Sequence, residues 1–339
     1  MIKKIGLIDA ELMWQHKWRG RYGNQKSDIF PNLPLMKLST FHKSEGDQVE
    51  WYNPMGGTYD RVYVSKVFAD TPISNERINA KQVILGGTGF QIRNINGREI
   101  FGEPNIPSIF KNYLFSYELD HKVEHSMPDY SLYPMIQDTA IGFLTRGCPR
   151  RCPFCHVGAK EGPQSYQAAN LTEWWSGQKN IILCDPNILA AEGAEELLKQ
   201  LADSKAKVDI NQGMDARLIT PEIVDILNEI KLKTIHFAWD NYNQKEMVLK
   251  GLKIFADGFR RKMAHQAQVF VLTNYDTTPE QDLERIYTLR DMGFEPYIMI
   301  YNKKAADPFY KSLQRWVNQR AIFHKIERFE DYDKTLAKE

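Results

Sequence analysis

Gly142-Phe143-Leu144-Thr145-Arg146-Gly147-Cys148-Pro149-Arg150-Arg151-Cys152-Pro153-Phe154-Cys155 carries three of the chain's four cysteines within eight residues. Three residues separate the first two and two separate the second pair. The stretch grows out of a short apolar run, Ala140–Leu144, which reads as a strand, so the cysteines fall on the loop that leaves it. A disulfide framework would spread its pairs over a small secreted domain. Clustering on one loop points instead to a metal or cluster site in a reducing compartment. Three thiolates on a short loop suit three irons of a 4Fe–4S cube and leave the fourth iron without a protein ligand. A metal with an open position can bind a substrate. The competing reading is a structural zinc completed by His156 or Cys184. Cys184 also suits a small buried core position at a strand end.

Downstream of this loop the apolar runs recur regularly. Ile181–Leu183, Val208–Ile210, Thr234–Phe237, Val269–Leu272 and Tyr297–Ile300 read as strands, with helical patterns between them. Thr220-Pro221-Glu222 and Thr278-Pro279-Glu280 place a hydroxyl N-cap before Pro at N1, with Gln281 at N3 of the second, and Gly293 supplies a stop. With Ala140–Leu144 this makes about six β–α repeats, a partial relative of the eightfold barrel. Each strand runs into a polar group at its C-terminal end: Cys148; Asp185 with Asn187; Gln212 with Asp215 and Arg217; Asp240; Asn274 with Asp276; Asn302 with Lys303. In β/α barrels that rim carries the site. The plainer alternative is that βα loops are polar in general.

Upstream, Lys4–Ile8, Gln48–Tyr52, Arg61–Ser65 and Gln82–Leu85 read as strands. A helix opens at Pro31-Asn32, carries Leu33, Leu35, Met36 and Leu38, and ends near Gly46. Strands separated by helix-length segments predict a parallel sheet with crossovers. Residues 96–137 are rich in Pro, Tyr and Asn without a sustained period and read as a connection. The expected organisation is α/β: a Rossmann-like parallel sheet over 1–95, a connection over 96–137, a partial barrel over 138–305 and a helical extension over 306–339.

The chain has 339 residues, 42% hydrophobic and 26% charged, which excludes a disordered or low-complexity polymer. Its 44 basic and 43 acidic residues give a net charge of +1, so no global basic field advertises nucleic acid or an anionic membrane. No uncharged stretch is long enough for a membrane span, and the chain reads as soluble and cytoplasmic. Two segments mix cations with aromatics in a way that suits stacking and phosphate contact: His16 to Tyr22, and Leu313 to Arg320. The second reads better as an amphipathic helix that packs Leu313, Trp316 and Val317. Arg146, Arg150 and Arg151 concentrate positive charge beside the cysteines, where they suit steering of an anion or offsetting of cluster charge.

The C-x3-C-x2-C loop after the first barrel strand, with Phe154 before the last cysteine, resembles the radical S-adenosylmethionine (SAM) superfamily over roughly residues 138–303. The resemblance implies a partial (β/α)6 TIM-type barrel and a 4Fe–4S cluster on Cys148, Cys152 and Cys155. Its unique iron would chelate the amino and carboxylate groups of SAM. One electron would then break the sulfonium C–S bond and release a 5′-deoxyadenosyl radical that abstracts hydrogen from a substrate. It also implies a low-potential electron donor such as flavodoxin or ferredoxin. Family placement of SAM at later strand ends makes Asp185, Asn187, Gln212, Asp215, Arg217 and Phe154 the cofactor-binding candidates. Turn capping is the alternative for Asp185 and Asn187, and an ion pair for Asp215 with Arg217. Asp240, Tyr275 and Lys303 are the rim candidates for catalysis, and Cys184 a further hydrogen-atom donor. The glycine-rich fifth-strand pattern of some members is absent.

The first hundred residues are similar to the cobalamin-binding-like domain of one radical SAM group, with Gly86-Gly87-Thr88-Gly89 resembling its late glycine turn. That group's Asp-x-His-x-x-Gly ligand motif is missing, so the favoured reading is a vestigial domain, with cobalamin left open as a cofactor. Methylthiotransferases share the cluster loop but need further cysteines for a second cluster, and no cysteine precedes Cys148. The substrate, whether RNA or a small molecule or peptide, does not follow from the sequence. From a different functional class, the alternative is a non-catalytic iron–sulfur or zinc protein that binds nucleic acid.

Overall fold

The computed structural model describes residues 2–12, 30–74, 76–95, 98–106, 113–116, 118–260 and 267–332. The basic–aromatic segment His16–Tyr22 lies outside the described residues. The chain is α/β and contains two parallel sheets. By compactness it divides into two units, one of residues 1–142 with 172–178 and one of residues 143–171 with 179–339.

The first sheet is built from β1 (Lys4–Asp9), β2 (Gln48–Trp51), β3 (Tyr59–Ser65), β4 (Ala80–Gly86) and β7 (Leu114–Phe115), in the order β2-β1-β3-β4-β7. Between the last two in sequence lies an antiparallel pair, β5 (Ile92–Ile95) with β6 (Arg98–Phe101). All four pairings of the five-stranded sheet are parallel. A 2-1-3-4-5 order is one of the two common doubly wound arrangements, and its topological switch lies between β1 and β3. Alternation along β1 and β3 splits the core onto two faces. Ile5 and Leu7 pack with Leu35, Leu38 and Val123, whereas Val62 and Val64 pack with Tyr59, Ile78, Val83, Leu85 and Phe90. The helix Leu33–Ser44 starts where its sequence says: the Asn32 side chain accepts from Leu35 N, and Pro stands in the first turn.

Within this unit the chain fills the ends of β1 and β3 with its own polar groups. Tyr133 Oη donates to Asp9 Oδ2 at 2.6 Å and accepts from Asn32 N, and Asn32 Nδ2 donates to Ser65 Oγ at 2.8 Å. Glu11 Oε1 accepts from the amides of Val67 and Phe68. The glycine turn after β4 has a packing cause. A Cβ on Gly87 would stand 2.3 Å from the Lys66 carbonyl oxygen and one on Gly89 2.6 Å from that of Phe68. Only glycine lets those two backbones pass. Residues 96–137, whose sequence shows no period, hold β6, β7 and the short helix His121–Glu124 among their described residues.

The second sheet has six strands in the order β15-β14-β13-β12-β11-β8. They are β8 (Thr139–Gly142), β11 (Asn180–Leu183), β12 (Lys207–Met214), β13 (Lys231–Ala238), β14 (Ala267–Thr273) and β15 (Glu295–Ile300). A short antiparallel pair, β9 (Thr145–Arg146) with β10 (Tyr166–Gln167), frames the cysteine loop. Helices Ala194–Asp203, Pro221–Glu229, Lys245–Gly258 and Pro279–Asp291 make the crossovers. Thr220 and Thr278 cap as read, the latter with Gln281 in a reciprocal capping box.

Edge strand β15 is closed by side chains. Ile298 N donates to Asn318 Oδ1 at 2.8 Å, and Ile298 O accepts from Gln314 Nε2 and Asn318 Nδ2. The amides of helix Pro308–Asn318 thus stand in for a further strand at this residue, one way to blunt an exposed edge. Leu313, Trp316 and Val317 of that helix are buried, the packing role expected of them. No helix among the described residues is long and apolar enough to cross a membrane.

Candidate functional site

The cysteine loop is held at its root by a buried carboxylate. Asp185, just past β11, accepts from Leu144 N at 2.8 Å with one oxygen and from Thr145 N and Thr145 Oγ1 at 2.7 and 2.6 Å with the other. Burial nonetheless pushes its pKa up to about 7 against the pull of those donors. Asp185, read from sequence as a cofactor contact with turn capping as the alternative, meets the loop's own Leu144 and Thr145. Gly147 follows at φ +75, where a Cβ would lie 2.0 Å from the Gln164 carbonyl oxygen. Glu161 closes the far end of the turn by accepting from Gly147 N and from Arg146 at 3.2 Å each. The Arg146 guanidinium lies 3.5 Å over the Phe143 ring.

A charged network ties the middle of the loop to the end of β12. Arg150 Nε donates to Asp215 Oδ2 at 2.6 Å, while Arg217 grips the same carboxylate through Nε at 2.6 Å and a second guanidinium nitrogen at 2.9 Å. Arg217 also donates to Gln244. The two cations hold the Asp215 carboxyl below its ordinary range even though burial works the other way. Arg217 and Asp215 thus form the ion pair that was the alternative to a cofactor role, and Arg150 makes it a three-membered bridge.

Cys148 and Cys152 are half-buried, Cys155 is exposed and Cys184 is buried. Burial first, and then the charges of the neighbouring cysteines and Asp240, raise the Cys152 thiol; Arg217 pulls it down. Cys155 is raised in the same way, with Cys148, Asp240 and Glu161 adding to burial. A metal bound there must displace those protons, and Arg217 is the cation placed to favour the thiolates. Cys184 is pushed up to about 12 by burial, the behaviour of an inert core thiol.

Asn187 is a buried residue beside the cysteine loop whose hydrogen bonding is incomplete. It is 3% exposed, its Nδ2 lies 3.6 Å from Cys148 Sγ and 3.5 Å from Asp215 Oδ2, and its buried Oδ1 has no hydrogen-bond partner among the described residues. A buried acceptor without a donor costs about 1–3 kcal/mol unless something supplies one. An N–H-bearing ligand beside Cys148 would do so.

On the other side of the loop, Phe154 stands edge-on to Tyr275 with ring centroids 5.3 Å apart, and Tyr275 edge-on to Tyr301 at 4.8 Å. Asn274, at φ +60, donates to the Tyr301 carbonyl and fixes the turn that presents Tyr275. Asp240, past β13, accepts from Leu272 N, and burial raises its pKa to about 6. Gln212 is exposed on an irregular stretch of β12, and Lys303 is exposed beyond β15. Among the described residues, no hydrogen bond or ion pair joins either of them to the cysteine loop.

Sequence reading missed the residues that act from behind. Thr145 and Glu161 shape the loop, Gln244 completes the Arg217 grip, and Arg285 reaches from helix Pro279–Asp291 to the carbonyls of Trp239 at 2.6 Å and Leu272 at 2.8 Å. Arg285 and its partner Asp282 are fully buried on the helix face that also buries Ile286 and Leu289. Two opposite charges three apart on an apolar face are the one sequence signal that marks them.

Cys148, Cys152 and Cys155 put three thiols on one loop, the donor type that an iron–sulfur cluster takes. Among the described residues, no three His, Cys, Asp or Glu side chains stand in the arrangement that a metal ion would need. The chain matches no protein-family model, and no curated protein matches it.

Proposed function

We propose that this protein is a radical SAM enzyme whose 4Fe–4S cluster is held by Cys148, Cys152 and Cys155. Its second sheet would then be a partial (β/α)6 barrel. The observation that carries the reading is the C-x3-C-x2-C loop, which leaves the first strand of a parallel six-stranded sheet and is anchored at three points by Asp185, Glu161 and Asp215. When bound, the cluster and SAM supply reductive cleavage of a sulfonium C–S bond and a 5′-deoxyadenosyl radical.

The chain's own residues have distinct tasks in this reading. Asp185 and Glu161 set the path of the loop, and the Asp215 bridge holds its middle. Arg150 and Arg217 offset thiolate charge. Asn187 Oδ1 accepts an N–H of the cofactor's amino group beside Cys148. Phe154, Tyr275 and Tyr301 wall one side of the site against water, and Asp240, whose charge acts on both Cys152 and Cys155, is the group through which a proton would move. Gln212 is left for ribose hydroxyls and Lys303 for the substrate. The electron comes from a low-potential donor such as flavodoxin or ferredoxin, in the cytoplasm. Residues 1–95 make a Rossmann-like, cobalamin-binding-like domain, vestigial in that its sequence lacks the Asp-x-His-x-x-Gly ligand motif.

Anaerobic reconstitution with iron and sulfide, dithionite reduction with SAM, and mass spectrometry for 5′-deoxyadenosine test this. The wild type gives product and Cys152→Ala gives none. A chain that retains zinc and assembles no cluster defeats the proposal and leaves the metal-binding, nucleic-acid alternative. Binding to bulk tRNA that weakens with salt would then support that alternative.

A further inference from the structure

Strand β12 does not run straight into the site. Its parallel register with β13 holds at Ile210 opposite Ile235 and resumes at Met214 opposite Phe237. Asn211, Gln212 and Gly213 therefore face a single residue, His236. Two extra residues are extruded there, and Gly213 takes φ +143, a backbone that side chains rarely adopt. Bulges of this kind turn a strand and re-aim its side chains. Here the bulge sits immediately before Asp215 and Arg217, the residues that hold Arg150 of the cysteine loop.

The residue opposite the bulge is built to keep it open. His236 Nδ1 lies 2.7 Å from the Ile210 carbonyl oxygen, at the residue where the ladder breaks. A carbonyl can only accept, so Nδ1 carries the proton. The ring is stacked on Phe270 of β14, with centroids 5.0 Å apart and planes 13° apart, and the residue is 8% exposed. Its chain neighbours Ile235 and Phe237 are fully buried, and Phe237 packs on Phe255 and Phe294. Alternation sends the histidine to the other face. The imidazole thus occupies the width of the missing ladder step, and Phe270 fixes its plane.

We infer that His236 is a positioning residue that holds the β12 bulge and through it sets Gln212, Asp215 and hence the cysteine loop. The inference deepens the radical SAM reading, but its structural part stands without it. Asparagine carries its amide nitrogen on Cγ, as imidazole carries Nδ1, and so reproduces the donor without the stack. Phenylalanine keeps the stack without the donor, and glutamine places its donor one methylene too far.

The test is backbone hydrogen exchange of the full chain without cluster or cofactor, read over residues 210–215. His236→Phe and His236→Gln are expected to exchange there about tenfold faster than wild type, and His236→Asn to stay near wild type. Chelator-resistant iron after reconstitution should follow the same order, as should the KM for SAM. His236→Phe exchanging like wild type, or His236→Asn exchanging like His236→Phe, overturns the inference. If the phenylalanine variant fails to fold, the Asn–Gln comparison decides alone. A wild type that makes no 5′-deoxyadenosine would defeat the enzymatic reading and leave the exchange result intact.

Discussion

Arg150 Nε lies 2.6 Å from Asp215 Oδ2, across 65 residues of sequence, and this contact joins the middle of the cysteine loop to the end of a strand that the loop's sequence does not mention. Because Arg217 holds the same carboxylate, Asp215 is the shared element and the two arginines are the replaceable ones. Removal of the shared carboxylate leaves two cations facing one another. Asp215→Ala is expected to cost about 2 kcal/mol after allowance for the screening of the partly exposed Arg150, against under about 1 kcal/mol for Arg150→Ala. Urea midpoints of the two variants check the order, and equal losses would show that the bridge is not centred on Asp215.

Asp185 makes stability depend on pH with a definite sign. Burial raises its folded pKa to about 7, above the ordinary value of about 3.9 in an unfolded chain. The folded state thus keeps a proton that the unfolded state has already lost between these values. This group's contribution is greatest below about pH 4 and falls as pH rises toward about 7. Asp185→Asn cannot titrate and should flatten that part of the profile. Urea midpoints of both proteins from pH 4 to 8 are the measurement, and parallel profiles would refute the assignment.

Gly147→Ala puts a methyl where the Gln164 carbonyl stands, on a residue with positive φ. The backbone has to move, at a cost of about 1–3 kcal/mol. The shift falls one residue before Cys148, so the variant should lose both melting temperature and reconstituted iron. Gly162→Ala is the control: it shares a positive φ (+98), but a Cβ there meets nothing within 4 Å. A similar loss in both would trace the effect to backbone conformation alone.

Tyr133→Phe tests the first unit. It strips Asp9 Oδ2 of its phenolic donor and Asn32 N of its acceptor, both buried. The expected loss is about 1–3 kcal/mol. Asp9, already raised to about 6 by burial, should titrate higher still once the donor that opposes burial is gone. Carboxyl NMR of Asp9 in the two proteins gives the direction.

Strand positions were legible because both sheets are parallel and their strands are rich in apolar residues. Such strands stand out as short apolar runs: Val269–Leu272 sits inside β14 and Tyr297–Ile300 inside β15. The helix starts at Thr220 and Thr278 were equally plain, since a hydroxyl before Pro is a local code. Strands β5 to β7 were not legible, because they lie among Pro, Asn and Tyr with no period. Asp185 and the Asp215–Arg217 pair were found as polar residues at strand ends, but their use was not. A carboxylate at such a position can meet a ligand or a backbone amide, and composition does not distinguish the two.

The sequence by itself determined the α/β class, the placement of three thiols on one loop and the helix starts at Asn32, Thr220 and Thr278, because each depends on periodicity or on residues a few positions apart. Tertiary structure alone decided that Asp185 serves Leu144 and Thr145, that Asp215 is shared by two arginines, and that His236 fills the step opposite the β12 bulge. Each of these is a contact between groups on different elements. Its existence depends on register and burial, which are set when the whole sheet closes on its core and not by any local run of residues.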